Sequence, residues 1–263
     1  MKKVIPFTIM ILTGLFSFQA QAIGELISTD ARSFALGNLH ALSREFLNPA
    51  SLSFHTNPQA SVSVLNQFEM KELNTFYLGG KYPNPYVDAG LTVSHYGYTD
   101  YRIVQVQSGF AKKILPNLAV GLNLIYFSES SFLEERDRNC LSSDIGLYYQ
   151  FNPKLAFAFL AANLLHTFPD RIENFYGGLS YEVVENCSFL LETHYGVNRY
   201  FNLSLGIEYE LVEKFKIRTG IQTGIKAPSF GVAFQQNLWT MDAGFSLHPV
   251  LGVSSIIGVN YHF

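Results

Sequence analysis

Apolar and polar residues alternate along most of this chain, from residue 58 to the C-terminus. The final segment shows the pattern best, since every second residue from Leu251 to Phe263 is apolar except Ser255. The residues between them are mostly small or polar, such as Asn260 and His262. Successive side chains of a β-strand point to opposite faces. The pattern therefore predicts strands with one apolar and one polar face.

Turn residues divide the alternating region into fourteen segments of about ten residues, the length that a strand needs to cross a membrane. The predicted strands are centred on Val64, Phe76, Leu91, Val106, Leu122, Leu147, Phe157, Leu179, Leu191, Leu205, Ile217, Val232, Ala243 and Ile257. Single-chain bacterial barrels have an even number of antiparallel strands. The sequence predicts an all-β fold, a transmembrane antiparallel β-barrel over residues 58–263 with its apolar face toward lipid. A soluble β-sandwich would place that face inward, and alternation alone does not separate the two.

Composition favours the barrel. Only 15% of residues are charged, whereas soluble domains carry about 25%. Mean hydropathy is only +0.12, and no apolar run beyond the N-terminus approaches the roughly 18 residues of a spanning helix. The net charge of −3 indicates no surface for polyanions, so we expect no nucleic-acid partner.

The first 22 residues have the pattern of a secretory signal peptide. Lys2 and Lys3 precede an apolar stretch that runs from Val4 to Phe18, and Ala20-Gln21-Ala22 then supplies a cleavage pattern of small residues. Cleavage is predicted after Ala22. A chain that is exported and forms a barrel is expected in the outer membrane of a Gram-negative bacterium, in contact with outer-membrane lipids.

The connections between predicted strands differ at the two ends of the barrel. Short turns are predicted at 83–85, 115–117, 152–153, 185–186, 213–214 and 236–237. The longest connection, from Ser128 to Asn139, is expected at the opposite, extracellular end. Short periplasmic turns and longer extracellular loops are typical of outer-membrane barrels.

Residues 23–57 do not alternate, and we expect them to form a short helical plug. Ser28-Thr29-Asp30 offers a helix cap, and an apolar stripe at helical spacing follows, made of Ala31, Phe34, Ala35, Leu39 and Leu42. A fourteen-stranded barrel is wide enough to have an interior that needs filling. A disordered periplasmic tail is the alternative, although a tail would not need this apolar pattern.

Two stretches of the predicted plug resemble a known family. Residues 30–38, with the sequence DARSFALGN, and residues 48–52, with the sequence NPASL, are similar to the N-terminal hatch of FadL-like barrels, and most similar to the PorV and PorQ barrel proteins of type IX secretion in Bacteroidota. The matching positions are Ala31, Arg32, Gly37, Asn48, Pro49 and Ala50. Asn38 and Ser51 stand where the family usually has glycine. The resemblance implies a fourteen-stranded outer-membrane barrel with an N-terminal plug.

Four charged residues on adjacent strands are predicted to face the interior. Alternation places Glu208 and Glu210 on the same inner face as Lys216 and Arg218, near the periplasmic end. A Lys or Arg side chain that faces lipid costs about 2–4 kcal/mol at the bilayer midplane, so an inward position is favoured. We expect an interior ion network that stabilises the barrel against its plug, with a substrate-binding patch as the alternative.

The sequence contains no recognisable catalytic or metal-binding motif. A barrel lipase needs a serine activated by a histidine, yet no histidine of the chain has serine two positions later. HExxH, CxxC and phosphate-loop patterns are also absent from the sequence. We expect neither an enzyme nor a bound cofactor or metal.

Two functions fit these observations. The first is a partner or scaffold subunit of an outer-membrane secretion or assembly complex, as PorV is for its translocon, with other outer-membrane proteins as partners. The alternative is a FadL-like transporter of hydrophobic compounds, for which Phe34, Leu36 and Leu39 are the candidate ligand contacts unless they simply pack against the wall. An open diffusion porin is disfavoured by the plug.

The two cysteines, Cys140 and Cys187, are expected to be free thiols. Cys140 opens one predicted strand near the extracellular rim, and Cys187 opens another near the periplasmic rim. The rims are about 25 Å apart, and a disulfide needs Cα atoms within about 7 Å of each other.

Overall fold

The structure, a computed structural model, describes residues 30–54, 57–132, 137–165, 167, 173–197 and 200–263. The predicted signal peptide and residues 23–29 lie outside the described residues. Within the described part of the chain, no helix has the length and apolar character required to cross a membrane.

Fourteen antiparallel strands close into one barrel, as predicted. Each strand pairs with its neighbours in the sequence, and β1 pairs with β14, from Gln59 opposite His262 to Asn66 opposite Ser255. The strands are β1 Gln59–Asn66, β2 Asn74–Tyr82, β3 Asp88–Gly97, β4 Tyr101–Leu115, β5 Leu118–Ser131, β6 Arg138–Asn152, β7 Leu155–Ala162, β8 Asn174–Val184, β9 Cys187–Gly196, β10 Tyr200–Val212, β11 Phe215–Gln222, β12 Ala227–Gln236, β13 Trp239–His248 and β14 Gly252–His262.

The six predicted short turns all lie between strands at one end of the barrel, which we call the turn end. The prediction of the longest connection is wrong. β5 continues to Ser131 and β6 begins at Arg138, so only 132–137 connect them, while 163–173 separate β7 from β8. Glu129 stands opposite Arg138 in the ladder, and opposite charges in that position favour continued strand pairing.

The two faces of the wall differ in exposure as the alternation predicts. In β14, Ile257 is 65% exposed on the outer face, whereas the adjacent Ile256 is 1% exposed on the inner face. Outer side chains are mainly apolar and inner ones mainly polar or small, as in β10, where Phe201, Ile207 and Leu211 are exposed while Asn202, Ser204 and Glu208 are buried. Exposure of so large an apolar outer surface to water is unfavourable in free energy, whereas contact with lipid is favourable.

The cysteines lie at opposite ends of the barrel and are both free, as expected. Cys140 is buried on the inner face, against Ile125 and Phe127. Cys187 begins β9 at the turn end, on the outer face beside Phe189.

Residues 30–54, which we call the N-terminal segment, contain little helix. α1 spans Ala31–Ala35, capped by the side chain of Asp30, and a 3₁₀ turn spans Pro49–Ser53, capped by Asn48. Gly37 and Asn38 have positive φ angles of 89° and 59°, which a continuing helix does not allow. The predicted helical stripe through Leu39 and Leu42 is therefore not formed.

Candidate functional site

The N-terminal segment follows the inner wall around the barrel. α1 packs against β11–β14, and the 3₁₀ turn packs against β3–β6. Between them, Leu42 packs with inner side chains of β7, β8 and β9, and Phe46 packs with Tyr77 of β2. A segment that contacts strands on all sides of a closed barrel lies in its lumen.

A belt of inward-facing glycines forms the seat of the segment. The glycine belt comprises Gly79, Gly90, Gly109, Gly121, Gly146, Gly178, Gly206, Gly220, Gly231, Gly244 and Gly258. A Cβ atom added at any of these positions would meet atoms of the segment; at Gly121 it would lie 2.6 Å from the backbone nitrogen of Ala50, and at Gly178 2.6 Å from Cγ of Leu42. Glycine within a strand marks a close approach of other backbone. The belt leaves room for a second layer of chain inside the wall.

An ion network connects the segment to one side of the wall. Arg32 contacts both carboxylate oxygens of Glu208, with Nε 3.0 Å from Oε2 and Nη2 3.1 Å from Oε1. Arg218 Nε lies 2.7 Å from the same Oε2 and its Nη1 pairs with Asp242. Arg44 approaches Glu208 Oε1 at 3.6 Å. Such bidentate, charge-assisted contacts are strong when buried and complete.

The sequence-predicted network divides into two parts. Glu208 and Arg218 meet in the buried network, with side chains 7% and 5% exposed. Glu210 and Lys216 form a separate pair at 3.5 Å, with both side chains 30% exposed. Asp242 was not predicted as a member of the network, and Arg32 was predicted only as a motif residue. Both are distant in sequence from Glu208, and only the register of β10–β13 and the course of the segment bring them together.

A second anchor holds residues 40–42 to β9. The carboxylate of Glu192 accepts the backbone N–H groups of His40 at 2.7 Å and of Leu42 at 3.0 Å. The His40 ring stacks on Tyr176 at a centroid distance of 4.5 Å, and Tyr176 stacks on His194 at 4.3 Å. Burial lowers the pKa of His40 to about 4, so the ring is neutral in this stack at neutral pH.

A third anchor is the Asn48-Pro49-Ala50 stretch. Asn48 Oδ1 accepts the N–H of Ala50 at 3.1 Å, and Asn48 Nδ2 donates to the carbonyl of Ala41 at 2.8 Å. From the wall, Gln107 donates to the carbonyl of Phe46 at 2.8 Å. Asn48 is fully buried, so its side chain satisfies backbone groups that water cannot reach.

The remaining motif residues lie around α1. Asp30 accepts hydrogen bonds from the backbone of Arg32 and the hydroxyl of Ser43, at 2.9 and 3.1 Å, which ties the helix to the turn after it. Gly37 donates its N–H to Ser229 Oγ of β12 at 3.0 Å. Ala31 is buried against the inner wall.

The structure separates the three predicted ligand contacts. Phe34 packs with Ala31, Leu65 and Ile256. Leu36 and Leu39 belong to another cluster, which includes Leu42, Leu160, Tyr176 and Leu190. All three are at most 4% exposed, so their present role is packing of the segment against the wall. No group of three or more His, Cys, Asp or Glu side chains among the described residues is arranged to hold a metal ion.

No protein-family model matches the chain, and neither does any curated protein sequence. Solved structures do match. A TodX monoaromatic hydrocarbon channel with a deletion mutation aligns with a TM-score of 0.70 at 10% identity, over 91% of this chain and 100% of that one. CymD, also a monoaromatic hydrocarbon channel, aligns at 0.66 and 12%, over 91% and 98%. A Pseudomonas aeruginosa FadL homologue aligns at 0.63 and 9%, over 89% and 98%. This chain therefore has the fold of the FadL-like channels.

Proposed function

We propose that this protein is an outer-membrane channel for small hydrophobic compounds, closed in its resting state by the N-terminal segment. The observation that carries the proposal is the seat of that segment, a lumen lined by the glycine belt and occupied by residues 30–54. An open diffusion pore keeps a water-filled lumen. The fold likeness to two hydrocarbon channels and a FadL homologue supports the choice of cargo.

The fold likeness favours this transporter over a scaffold subunit of a secretion or assembly complex, which was the first of the two functions considered from the sequence. TodX and CymD are described as hydrocarbon channels and the third structure as a FadL homologue, and none of the three is described as a secretion component. The closeness to PorV and PorQ, the part in type IX secretion and the partner proteins gain no support from them. The same likeness to channels favours a transporter over an enzyme.

We also propose that the chain is exported and organised as its sequence predicts. Residues 1–22 would be removed after Ala22, residues 23–57 would form the plug, and residues 58–263 would form the barrel in contact with outer-membrane lipids. The apolar outer face of the strands supports this placement.

The ion network stabilises the closed state. A compound that crossed the centre of the lumen would have to separate Arg32 and Arg44 of the segment from Glu208 of the wall. Removing one partner from a buried charge pair costs roughly 3–5 kcal/mol. Opening of the lumen therefore requires the segment to shift away from Glu208. Binding of a hydrophobic compound would supply the energy for this shift.

Toluene uptake tests the proposal. Gram-negative cells with an intact lipopolysaccharide layer, expressing the full chain, should take up labelled toluene faster than cells with an empty vector. Uptake of a small sugar, measured in parallel, should not change because the lumen is closed to water. Equal toluene uptake in both cell lines, with the barrel present in the outer membrane, would contradict the proposal.

A further inference from the structure

Three aromatic rings form a stack in the lumen, beside the N-terminal segment. Tyr176 of β8 lies between His40 of the segment and His194 of β9, and the planes of the two pairs differ by only 18° and 14°. All other ring pairs among the described residues are tilted or edge-on. Phe46 and Tyr77, for example, make an angle of 57°. The stack is therefore the one place in the described lumen where flat ring faces meet.

The wall holds Tyr176 in place independently of the segment. Tyr176 stands directly opposite His194 in the ladder of β8 and β9. His194 Nε2 in turn lies 3.0 Å from Asn174 Oδ1, within hydrogen-bonding distance. Of the three rings, only that of His40 belongs to the segment. If residues 40–42 moved away, one face of the tyrosine ring would be uncovered while the other face stayed against His194.

The surroundings of that face are apolar. Wall side chains of the same packed cluster surround it, namely Ala158, Leu160 and Leu190. Gly178 follows Tyr176 on the inner face and leaves the space that Leu42 fills, since a Cβ atom there would lie 2.6 Å from Leu42 Cγ. Departure of residues 40–42 would thus open a hollow as large as an imidazole and a leucine side chain together. That space is sufficient for one six-membered ring with a small substituent.

We infer that the ring of an aromatic compound binds on Tyr176 in the place of the His40 ring. The exchange keeps the stacking contact and is favourable in solvation. Burial lowers the pKa of His40 to about 4, because this apolar site is a poor environment for an imidazole that takes up a proton. A hydrocarbon ring has no polar atom to desolvate, and the displaced imidazole returns to water.

The backbone bonds of the second anchor oppose this exchange. Glu192 accepts the N–H groups of His40 and Leu42, so residues 40–42 return to the wall when the compound leaves. A bound ring would loosen the anchor at β9 only while it occupies Tyr176. The inference rests on the proposed function, since a compound must first enter the lumen, and it adds the site at which the ring is recognised.

Binding of toluene and of methylcyclohexane tests the inference, because the two molecules are similar in size but only toluene has an aromatic face. The full-length protein is placed in lipid nanodiscs, and the free concentration of each compound is measured in the headspace by gas chromatography. Each affinity is divided by the partition of that compound into protein-free nanodiscs, which removes the difference in hydrophobicity. The wild type should then favour toluene about fivefold, equivalent to about 1 kcal/mol for one stacked ring pair.

Variants of Tyr176 assign this preference to the stack. Tyr176→Leu keeps an apolar side chain but removes the ring, so the normalised preference for toluene should fall to about one. Tyr176→Phe keeps the ring and should keep the preference. His40→Ala removes the ring that competes for Tyr176, so it should raise the affinity for toluene by up to about fivefold.

Tyr77→Leu is the matched control. Tyr77 is also a buried tyrosine of the inner wall that meets a ring of the segment, but Phe46 lies tilted against it at a centroid distance of 6.1 Å. This variant should keep the preference for toluene. Circular dichroism shows whether each barrel has formed, and the wild type and His40→Ala test the inference even where Tyr176→Leu does not assemble.

Four results would each overturn the inference: no normalised preference in the wild type, the same preference in Tyr176→Leu, loss of the preference in Tyr77→Leu, or an unchanged affinity for toluene in His40→Ala. These results are separate from those for the proposed function. Toluene uptake by cells without a binding preference would support transport and exclude the stacking site. A binding preference without uptake would support the stacking site and contradict transport.

Discussion

Arg32 attaches the segment to the wall through a buried pair with Glu208. It is only 7% exposed, and it contacts both oxygens of Glu208 while its other guanidinium nitrogen approaches the carbonyl of Leu42 at 3.4 Å. A lysine presents a single point charge and could not reproduce this two-pronged contact.

Replacing Arg32 with alanine should lower the free energy of unfolding by about 2–3 kcal/mol, because Glu208 stays buried but keeps Arg218. Lys216→Ala is the control. It breaks the partly exposed pair with Glu210 and should cost only about 0–1 kcal/mol. Urea unfolding in lipid or detergent gives both values. Equal losses would mean that the buried network contributes no more than a surface pair.

His40 makes the anchor at β9 sensitive to acid. Its pKa in the folded protein is lowered from 6.5 to about 4 by burial, so the unfolded state takes up the proton first as the pH falls. The stability associated with neutral His40 is complete above about pH 6.5, declines below it, and is lost by about pH 4, a change of roughly 3 kcal/mol.

His40→Phe should keep the stacked ring and remove this part of the acid sensitivity. The difference in unfolding free energy between wild type and variant should therefore change in favour of the variant between about pH 6.5 and pH 4. The measurement is urea unfolding across that range. If the unfolding free energies of the two proteins changed with pH in the same way, His40 would have the same pKa in the folded and the unfolded state.

At the scale of elements, the glycine belt and the segment act as one fitted pair. Gly220 of β11 shows this most clearly, because a Cβ atom there would overlap the backbone of Leu36 and Gly37. Backbone cannot move aside as a flexible side chain can. The strands themselves do not need glycine here, since β-branched residues are favoured in extended chain.

Gly220→Val should therefore leave the barrel folded but displace the segment. Limited proteolysis of the reconstituted protein should cut within residues 30–54 much faster than in wild type, while the barrel core persists. Gly177→Val is the control, since Gly177 lies outside the belt and its nearest neighbour would be Thr193 Oγ1 at 3.5 Å. Unchanged proteolysis of the Gly220 variant would show that the seat tolerates a side chain.

The sequence predicted local elements far better than long-range contacts. All fourteen strand centres lie within observed strands, because alternation within a strand reports directly on its two faces. The helical plug was overestimated, since Gly37 and Asn38 end the helix early. The glycines of the belt recur in the sequence on the polar faces of the strands. That recurrence is the signal from which a binding surface for the N-terminal segment could have been predicted. The contact between Arg32 and Glu208 depends on the path of the segment through the lumen, which no local pattern encodes.

In the whole molecule, the N-terminal segment lies inside a closed barrel of fourteen strands. The outer face suits lipid, the inner face suits a second layer of chain, and the buried contacts of Glu192 and Glu208 hold that layer in place.

Conductance in planar bilayers shows whether the N-terminal segment closes the lumen. The full-length protein should insert without a steady ion current, whereas a variant lacking residues 30–54 should give a stable current proportional to voltage, and Gly220→Val an intermediate one. Circular dichroism of each reconstituted protein confirms that the barrel has formed. A steady current through the full-length protein, or folded variants that remain non-conducting, would contradict closure of the lumen by the segment.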